Sequence, residues 1–298
     1  MNFDIISIIV CARGNIQKLR DNIEQTIGVP HKLFVVDNSQ NRYSIFEAYN
    51  LGLRNNQNEI CCFVHDDVIF NSSGWGEVII NAFKREEKLG LLGIVGSSIK
   101  TSMPSGYFNC PTKYKHYNII QGYKYSNHTN KNQENLKSVK IGFNRNEIEP
   151  VAIIDGVFFA LKNNGKLCFD SNLKGFHGYD FNISMECHKY ELKVSVINTI
   201  DLTHLSEGIL NANWYLNTHL LHRKYKKLLP IGRTKDNSAE FDQLESKNGY
   251  NFIKHGLTNG LRTELITWYF KLLTFERSLK IHQNIFKHLL KSYLKRVD

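Results

Sequence analysis

Three short apolar runs in about the first 65 residues leave few folds open to this chain. Residues 4–12 form a continuous apolar run that stops at Arg13-Gly14-Asn15. Residues 32–36 form a second, ending in Asp37-Asn38-Ser39, and Ile60–Val64 a third. Between the first two, Ile16, Leu19, Ile23 and Ile27 recur near helical spacing. Between the last two, Ser44 and Glu47 make a capping-box pattern ahead of a helix over 44–53. Runs this short, β-branched and apolar read as buried strands, and strand–helix–strand–helix–strand closes into a right-handed parallel sheet. That opening predicts an α/β fold, half of a doubly wound nucleotide-binding sheet.

The third run ends abruptly. Over 60–70 the chain reads ICCFVHDDVIF, with His65-Asp66-Asp67 set between apolar segments. Adjacent carboxylates are costly to bury, so they belong where the strand emerges. In open α/β sheets ligands bind outside the carboxyl ends of the strands. Hard oxygen ligands there suit Mg²⁺ or Mn²⁺, an ion that usually also holds substrate phosphates. An acidic turn capping the next helix is the competing account. Asp37, at another strand end, suits a hydrogen bond to a base or ribose hydroxyl, or a simple strand-end cap. Arg13 suits phosphate or plain solvation. Neither GxGxxG nor GxxxxGK[ST] occurs, which argues against a dinucleotide fold and a P-loop.

Further along, 75–88 reads as an amphipathic helix and 91–99 as a buried strand. Residues 101–149 turn polar and rich in Tyr, Asn and Lys, which reads as a loop-rich insertion over an active site or as a partly disordered excursion. Residues 151–161, VAIIDGVFFAL, form a very hydrophobic strand interrupted by Asp155-Gly156, a placed acid with a glycine permitting close backbone approach, or a bulge. Asp180 stands at the start of a helix over 181–190, where it is an N-cap or a carboxylate projecting into a cleft. A strand over 194–200 precedes His204, which acts as a metal ligand only if the acidic pair lies nearby. Beyond it, 207–229 reads as a helix ended by Pro230, 232–249 as a polar loop, and 261–296 as one or two helices. In that last stretch Lys280, Lys287, Lys291 and Lys295 interleave with Ile281, Ile285, Phe286, Leu289, Leu290 and Leu294. Such a basic amphipathic stretch suits an anionic membrane surface, a homodimer contact, or packing on its own domain.

Composition excludes some classes. With 298 residues and 42% hydrophobic content the chain buries a substantial core, and no apolar run reaches bilayer length. The N-terminus lacks a basic segment and reads as a strand rather than a signal peptide, which predicts a cytoplasmic protein. Six cysteines without a CxxC pair fit a reduced compartment and argue against zinc. The formal charge of +10 predicts anionic partners. No RNP-like, zinc or helix-turn-helix signature appears, so nucleic acid is not expected. A nucleotidyltransferase and a non-catalytic glycan- or nucleic-acid-binding protein are the rival readings; the first needs a Gly-rich basic loop that residues 11–15 supply poorly.

Four signals in order carry a resemblance: the strand ending at Arg13, VVDNS at 35–39, FVHDDV at 63–68 and GYD at 178–180. Over roughly residues 4–208 the chain resembles GT-A fold glycosyltransferases, specifically family-2-like bacterial enzymes. The resemblance implies a Rossmann-like, mostly parallel sheet flanked by helices over 1–208; beyond it the residue pattern alone predicts a helical basic extension over 209–298. It implies a nucleotide-diphosphosugar donor, UDP-sugar favoured, with Mn²⁺ or Mg²⁺. Arg13, Asp37, Asp66, Asp155 and Gly156 then border the donor, while Asp67 and His204 hold the metal. His65 replaces the first aspartate of the DxD pattern, which leaves its part in the metal site open. Asp180 is the implied catalytic base, with Tyr179 where many relatives carry Glu. The reaction implied is inverting transfer to a hydroxyl of a surface-glycan or lipid-linked acceptor at the inner face of the membrane.

Overall fold

The computed structural model describes residues 5–123, 135–143, 146–206 and 208–294. The chain divides into two compact units, Met1–Ser98 with Pro111–Ile209, and Ile99–Cys110 with Leu210–Asp298.

The first unit opens as the apolar runs predict, with β1 (Ile6–Ala12), α1 (Gln17–Thr26), β2 (His31–Asp37), α2 (Ile45–Asn55) and β3 (Ile60–Val64). Ser44 caps α2: its hydroxyl accepts from the Glu47 amide while the Glu47 carboxylate accepts from the Ser44 amide, the reciprocal box that the sequence spells. The chain continues through β4 (Val68–Phe70), α3 (Trp75–Arg85), β5 (Leu89–Gly93), β6 (Val95–Ser97), β7 (Lys115–Tyr123), β8 (Asn135–Ile141), β9 (Ile148–Pro150), β10 (Ile153–Ile154), β11 (Phe158–Lys162), α4 (Tyr179–Lys189), β12 (Lys193–Ile197) and β13 (Leu202–His204). One sheet runs β2-β1-β3-β11-β5-β12-β9, and a second runs β10-β6-β7-β13-β4 with β8 on β7. The pairs β1–β2, β1–β3 and β5–β12 are parallel; β11 is antiparallel to both its neighbours.

Two runs each read as one strand are divided between the two sheets, for one reason. The 91–99 run divides at Ile94 into β5 in the first sheet and β6 in the second. The 151–161 run divides at Asp155-Gly156 into β10 in the second sheet and β11 in the first. The Asp155 amide donates to Val95 O and its carboxylate accepts from the Val157 amide, so an Asx turn makes the second break. The 60–70 run behaves alike, with His65–Asp67 between β3 of one sheet and β4 of the other. Apolarity reports burial, and each of these runs is buried in two different sheets. The described part of the segment 101–149 is more regular than its polarity predicts, residues 124–134 and 144–145 lying outside it: β7 and β8 pair antiparallel from Tyr117–Ile141 to Tyr123–Asn135.

Behind the crossings lies an aromatic cluster. Phe63 stacks on Phe159 at 4.9 Å, Tyr49 packs against Phe63 at 4.7 Å, and Tyr49 meets Tyr179 edge-on at 5.4 Å. Asn50 ties the loop before α4 to α2: its amide donates to Phe169 O at 2.8 Å, and its carbonyl accepts from the Phe169 amide at 2.9 Å. None of the six cysteines is in a disulfide, and four are buried.

The second unit holds α5 (Ala212–Lys224), α6 (Ser238–Thr258), α7 (Thr263–Leu272) and α8 (Leu279–Leu294) around a core that includes Met103, Tyr215, Phe252, Trp268 and Ile285. The helix predicted from 207 begins at Ala212, capped by the Asn211 side chain, and ends at Lys224, ahead of Pro230. Glu207 itself lies outside the described residues, as does Lys295. The polar loop predicted over 232–249 is a correction: α6 occupies most of it, burying Phe241, Leu244, Glu245, Ser246, Asn248 and Gly249. Polar side chains on its inner face hide the helical period. Among the described residues, no helix is long and apolar enough to cross a membrane.

Asn50→Ala strips two buried backbone groups of their partners; each such group costs about 1–3 kcal/mol. The variant is expected to unfold at distinctly lower urea concentration, read by circular dichroism.

Candidate active site

Strand register brings the site together. β13 runs antiparallel to β4 with His204 opposite Val68, and the Leu205 amide donates to Asp67 O at 3.0 Å. His204 therefore arrives beside the turn that leaves β3. Its Nε2 lies 3.4 Å from Asp67 Oδ1, while His65 Nδ1 lies 3.9 Å from the same oxygen. The two imidazoles face each other at 5.5 Å between ring centres. His65, Asp67 and His204 each offer a ligand atom, and all three atoms lie within 4.8 Å of one another.

The outer nitrogen of each ring is already engaged. His204 Nδ1 is 3.2 Å from Gln121 Oε1, an acceptor, so that nitrogen carries the proton and Nε2 keeps its lone pair. Gln121 stands opposite His204 in the β7–β13 ladder, and its amide donates to Ser206 O at 2.7 Å, which fixes the way the side chain points. His65 Nε2 is 2.5 Å from the Tyr179 hydroxyl. In the tautomer whose Nε2–H donates to that hydroxyl, Nδ1 keeps a lone pair toward Asp67. Burial pushes the His65 imidazole down from its ordinary pKa and the neighbouring His204 adds to this, with Asp67 and Asp155 acting the other way. Burial raises the Asp67 carboxyl, but the adjacent His204 and Ser206 side chains, with His65, outweigh it and hold Asp67 well below the usual carboxylate range. His204 Nε2 is buried without a hydrogen-bond partner, its approach to Asp67 being close but poorly aligned. An orphaned imidazole nitrogen beside an ionised carboxylate fits a divalent cation, and outer-shell partners of this kind orient metal-ligating histidines.

The other expected residues are placed differently. Asp66 turns away from Asp67: its Oδ2 accepts from the Arg13 amide at 2.8 Å and its Oδ1 lies 3.6 Å from the Arg13 guanidinium. It braces the β1 exit and is not in the His65–Asp67–His204 group. Asp37, paired in register with Ala12, is exposed; the Ser39 amide donates to its Oδ1 at 3.0 Å and lowers its pKa. Asp155 makes the Asx turn beside the crossing. Gly156 lies against the Tyr179 ring, so near that a Cβ there would stand 2.2 Å from the hydroxyl. Gly178, at φ 87°, caps α4, whose first turn carries Tyr179 and then Asp180. Asp180 is half-buried, and its Oδ1 accepts from the Phe181 amide at 2.8 Å. Gln121 had no motif to reveal it and appears only through the β7–β13 register; Tyr179 stands in the GYD motif, but its contact with His65 is seen only in the structure.

Gly156→Ala forces the Tyr179 ring to move and is expected to cost about 1–3 kcal/mol by overpacking. In a Tyr179→Ala background the same change should cost far less, a non-additivity that a double-mutant cycle of thermal unfolding measures.

Comparison with known proteins bears on the fold and the family. No curated protein matches the sequence. The crystal structure of S. aureus TarS 1-349 in complex with UDP-GlcNAc superposes with a TM-score of 0.52 at 12% identity, covering 97% of this chain and 89% of that one. That of GalNAc-T7 with UDP, GalNAc and Mn²⁺ gives a TM-score of 0.48 at 11% identity, and the chain spans 54% of its length against 91% of its own. The fold is thus the GT-A arrangement of the glycosyltransferases. Residues 11–223, from the end of β1 to the last turn of α5, match the model of the Glycosyltransferase like family, and the chain belongs to that family.

Proposed function

We propose that the protein is a metal-dependent, inverting glycosyltransferase that moves a sugar from a nucleotide-diphosphosugar to a hydroxyl of a surface-glycan or lipid-linked acceptor. The observation that carries this reading is the His65–Asp67–His204 group, in which one nitrogen of each ring lies 3.9 and 3.4 Å from the same carboxylate oxygen. Asp67, His204 and His65 hold the ion. Two imidazoles and one carboxylate suit Mn²⁺ better than Mg²⁺, which prefers an all-oxygen shell. A bound ion neutralises the charge that develops on the departing nucleoside diphosphate. Gln121 and Tyr179 keep both rings in the ligating tautomer. Asp37 accepts from the base or ribose, and Arg13, exposed at the adjacent strand end, meets phosphate. Asp66 holds the Arg13 loop, while Asp155 and Gly156 border the donor sugar. Asp180 takes the proton from the acceptor hydroxyl, and direct displacement from the side opposite the leaving group inverts the anomeric carbon.

UDP-sugars are the first donors to test, because TarS, of the same fold, was solved with one. Calorimetric titration of UDP-, GDP- and dTDP-sugars with Mn²⁺ or Mg²⁺ is expected to show binding of one donor that needs metal, tighter with Mn²⁺. Asp67→Ala should abolish it. Asp180→Asn should keep donor binding while lowering kcat by ~10²–10⁴-fold, the usual worth of a general base. Metal-independent binding, unchanged in Asp67→Ala, overturns the reading.

The second unit supports a lipid-linked acceptor. Ile266 and Phe270 on α7 and Leu273 at its C-cap lie exposed at helical spacing, and Leu279 and Phe286 lie exposed on α8 beside exposed Lys280 and Lys287. Apolar side chains rimmed by lysines suit an anionic membrane surface. The protein is expected to co-sediment with phosphatidylglycerol vesicles and not with phosphatidylcholine, with binding lost in Phe270→Glu/Phe286→Glu. A salt-insensitive dimer that ignores vesicles would assign the face to a second copy instead.

A further inference from the structure

The second unit contains a cavity that the donor chemistry does not use. Ile99–Cys110 folds against α5 and α6 and with them encloses about 350 Å³, within the size range of small-molecule sites. Two buried charges fix this segment. The Glu245 carboxylate accepts from the Ser102 and Met103 amides at 2.7 and 2.6 Å, and Lys100 Nζ donates to Ser105 O and Oγ at 2.5 and 2.7 Å. The walls are therefore preformed, which spares a ligand the cost of ordering them.

The lining has a distinct chemistry. It includes the rings of Phe108, Trp214, Tyr215 and Phe252, and no Asp, Glu, Lys or Arg. Phe108 and Trp214 lie 6.4 Å apart, inclined by 31°, and Tyr215 stands nearly perpendicular to Trp214 at 4.8 Å. Asn248, Asn251, Phe252 and His255 supply one stripe of α6 at i, i+3, i+4 and i+7. Asn248, only 5% exposed, spends its amide on Thr101 Oγ1 and Asn109 O, and among the described residues its carbonyl oxygen accepts nothing. Neither the Asn251 amide nor the Trp214 indole N–H has a hydrogen-bond partner among the described residues. A pocket that combines ring faces with an unengaged amide donor at Asn251 and an unengaged carbonyl acceptor at Asn248, and carries no formal charge in its lining, selects a ligand that is neutral, ring-shaped and hydroxylated.

We propose that this cavity binds a neutral pyranose unit of a glycan, its C–H face against Trp214 and Phe108 and its hydroxyls on Asn248, Asn251 and His255. The assignment stands apart from the donor reading, since every lining residue belongs to the second unit. A phosphate or carboxylate has no cation here to meet. A nucleobase could also stack, and the test separates it.

The chain has three tryptophans, of which Trp75 and Trp268 are buried, so Trp214 is the one a ligand can reach. Titration of the full chain with methyl glycosides of glucose, galactose and N-acetylglucosamine should give a saturable emission change with at least one. Saturation-transfer NMR should show at least tenfold weaker binding of that glycoside in Trp214→Ala and in Asn251→Ala, the latter a partly exposed helix position that tolerates truncation. Metal-dependent donor binding should be the same in all three proteins. The proposal is overturned if no glycoside binds, if both variants bind as wild type does, or if uridine monophosphate displaces the glycoside. Failure of donor binding in wild type sinks the proposed function and leaves this result standing.

Discussion

The chain crosses from one sheet to the other at 65–67, at Ile94 and at 155–157, and the site depends on those crossings. β3 is fully buried, so a carboxylate within it would have no solvent and no counter-charge. Ending the strand at Val64 and resuming at Val68 in a different sheet gives Asp66 and Asp67 a gap in which to emerge. The gap also separates them. Asp66 turns toward the β1 exit and Asp67 toward β13, so neighbours in sequence serve different loops. The β4–β13 ladder then decides what Asp67 meets. A slip of one residue would send His204 to the other face, since side chains alternate along a strand.

Substituting histidine for the first aspartate of the pattern changes the electrostatics as well as the ligand. Two carboxylates and a neutral imidazole carry two negative charges; one carboxylate and two neutral imidazoles carry one. In the proposed site an ion would keep more of its charge for a diphosphate, and would be held less tightly by the protein alone. A second histidine is also useless as a ligand unless its tautomer is set. In the proposed site Tyr179 would supply that setting, standing in the position where a Glu would place another negative charge. It reaches His65 only because residue 156 has no side chain. His65, Gly156 and Tyr179 thus form one physical unit drawn from three separate stretches.

This explains which parts were legible in the sequence. The β1–α2 opening and its capping box were read correctly because their signals are local: period, cap and strand end. The family resemblance ordered Asp67, Asp155, Asp180 and His204 along the chain. The division of 91–99 and 151–161 between sheets was not legible, since a buried residue looks the same in either. Gln121 gives no signal at all, because its place depends on pairing with a strand about eighty residues away. Helix α6 was missed for the opposite reason: its inner face buries Glu245 and Asn248, residues that pattern reading assigns to solvent. Both are engaged by the backbone of 99–110, a partnership that hydropathy does not record.

The same distinction bears on the net charge. A chain at +10 invites the expectation of a basic binding cleft. Neither cavity nor metal group is basic. The metal group carries one carboxylate and two imidazoles, and the second-unit cavity is lined without Lys or Arg. The cations instead stand on outer faces, among them Lys224, Lys226 and Lys227 at the end of α5 and Lys280 and Lys287 on α8, all exposed. Surface charge of that kind steers a molecule toward an anionic surface without contacting the reacting atoms. In the proposed reading the charge bears on where the protein works, and the metal group and the cavity on what it handles.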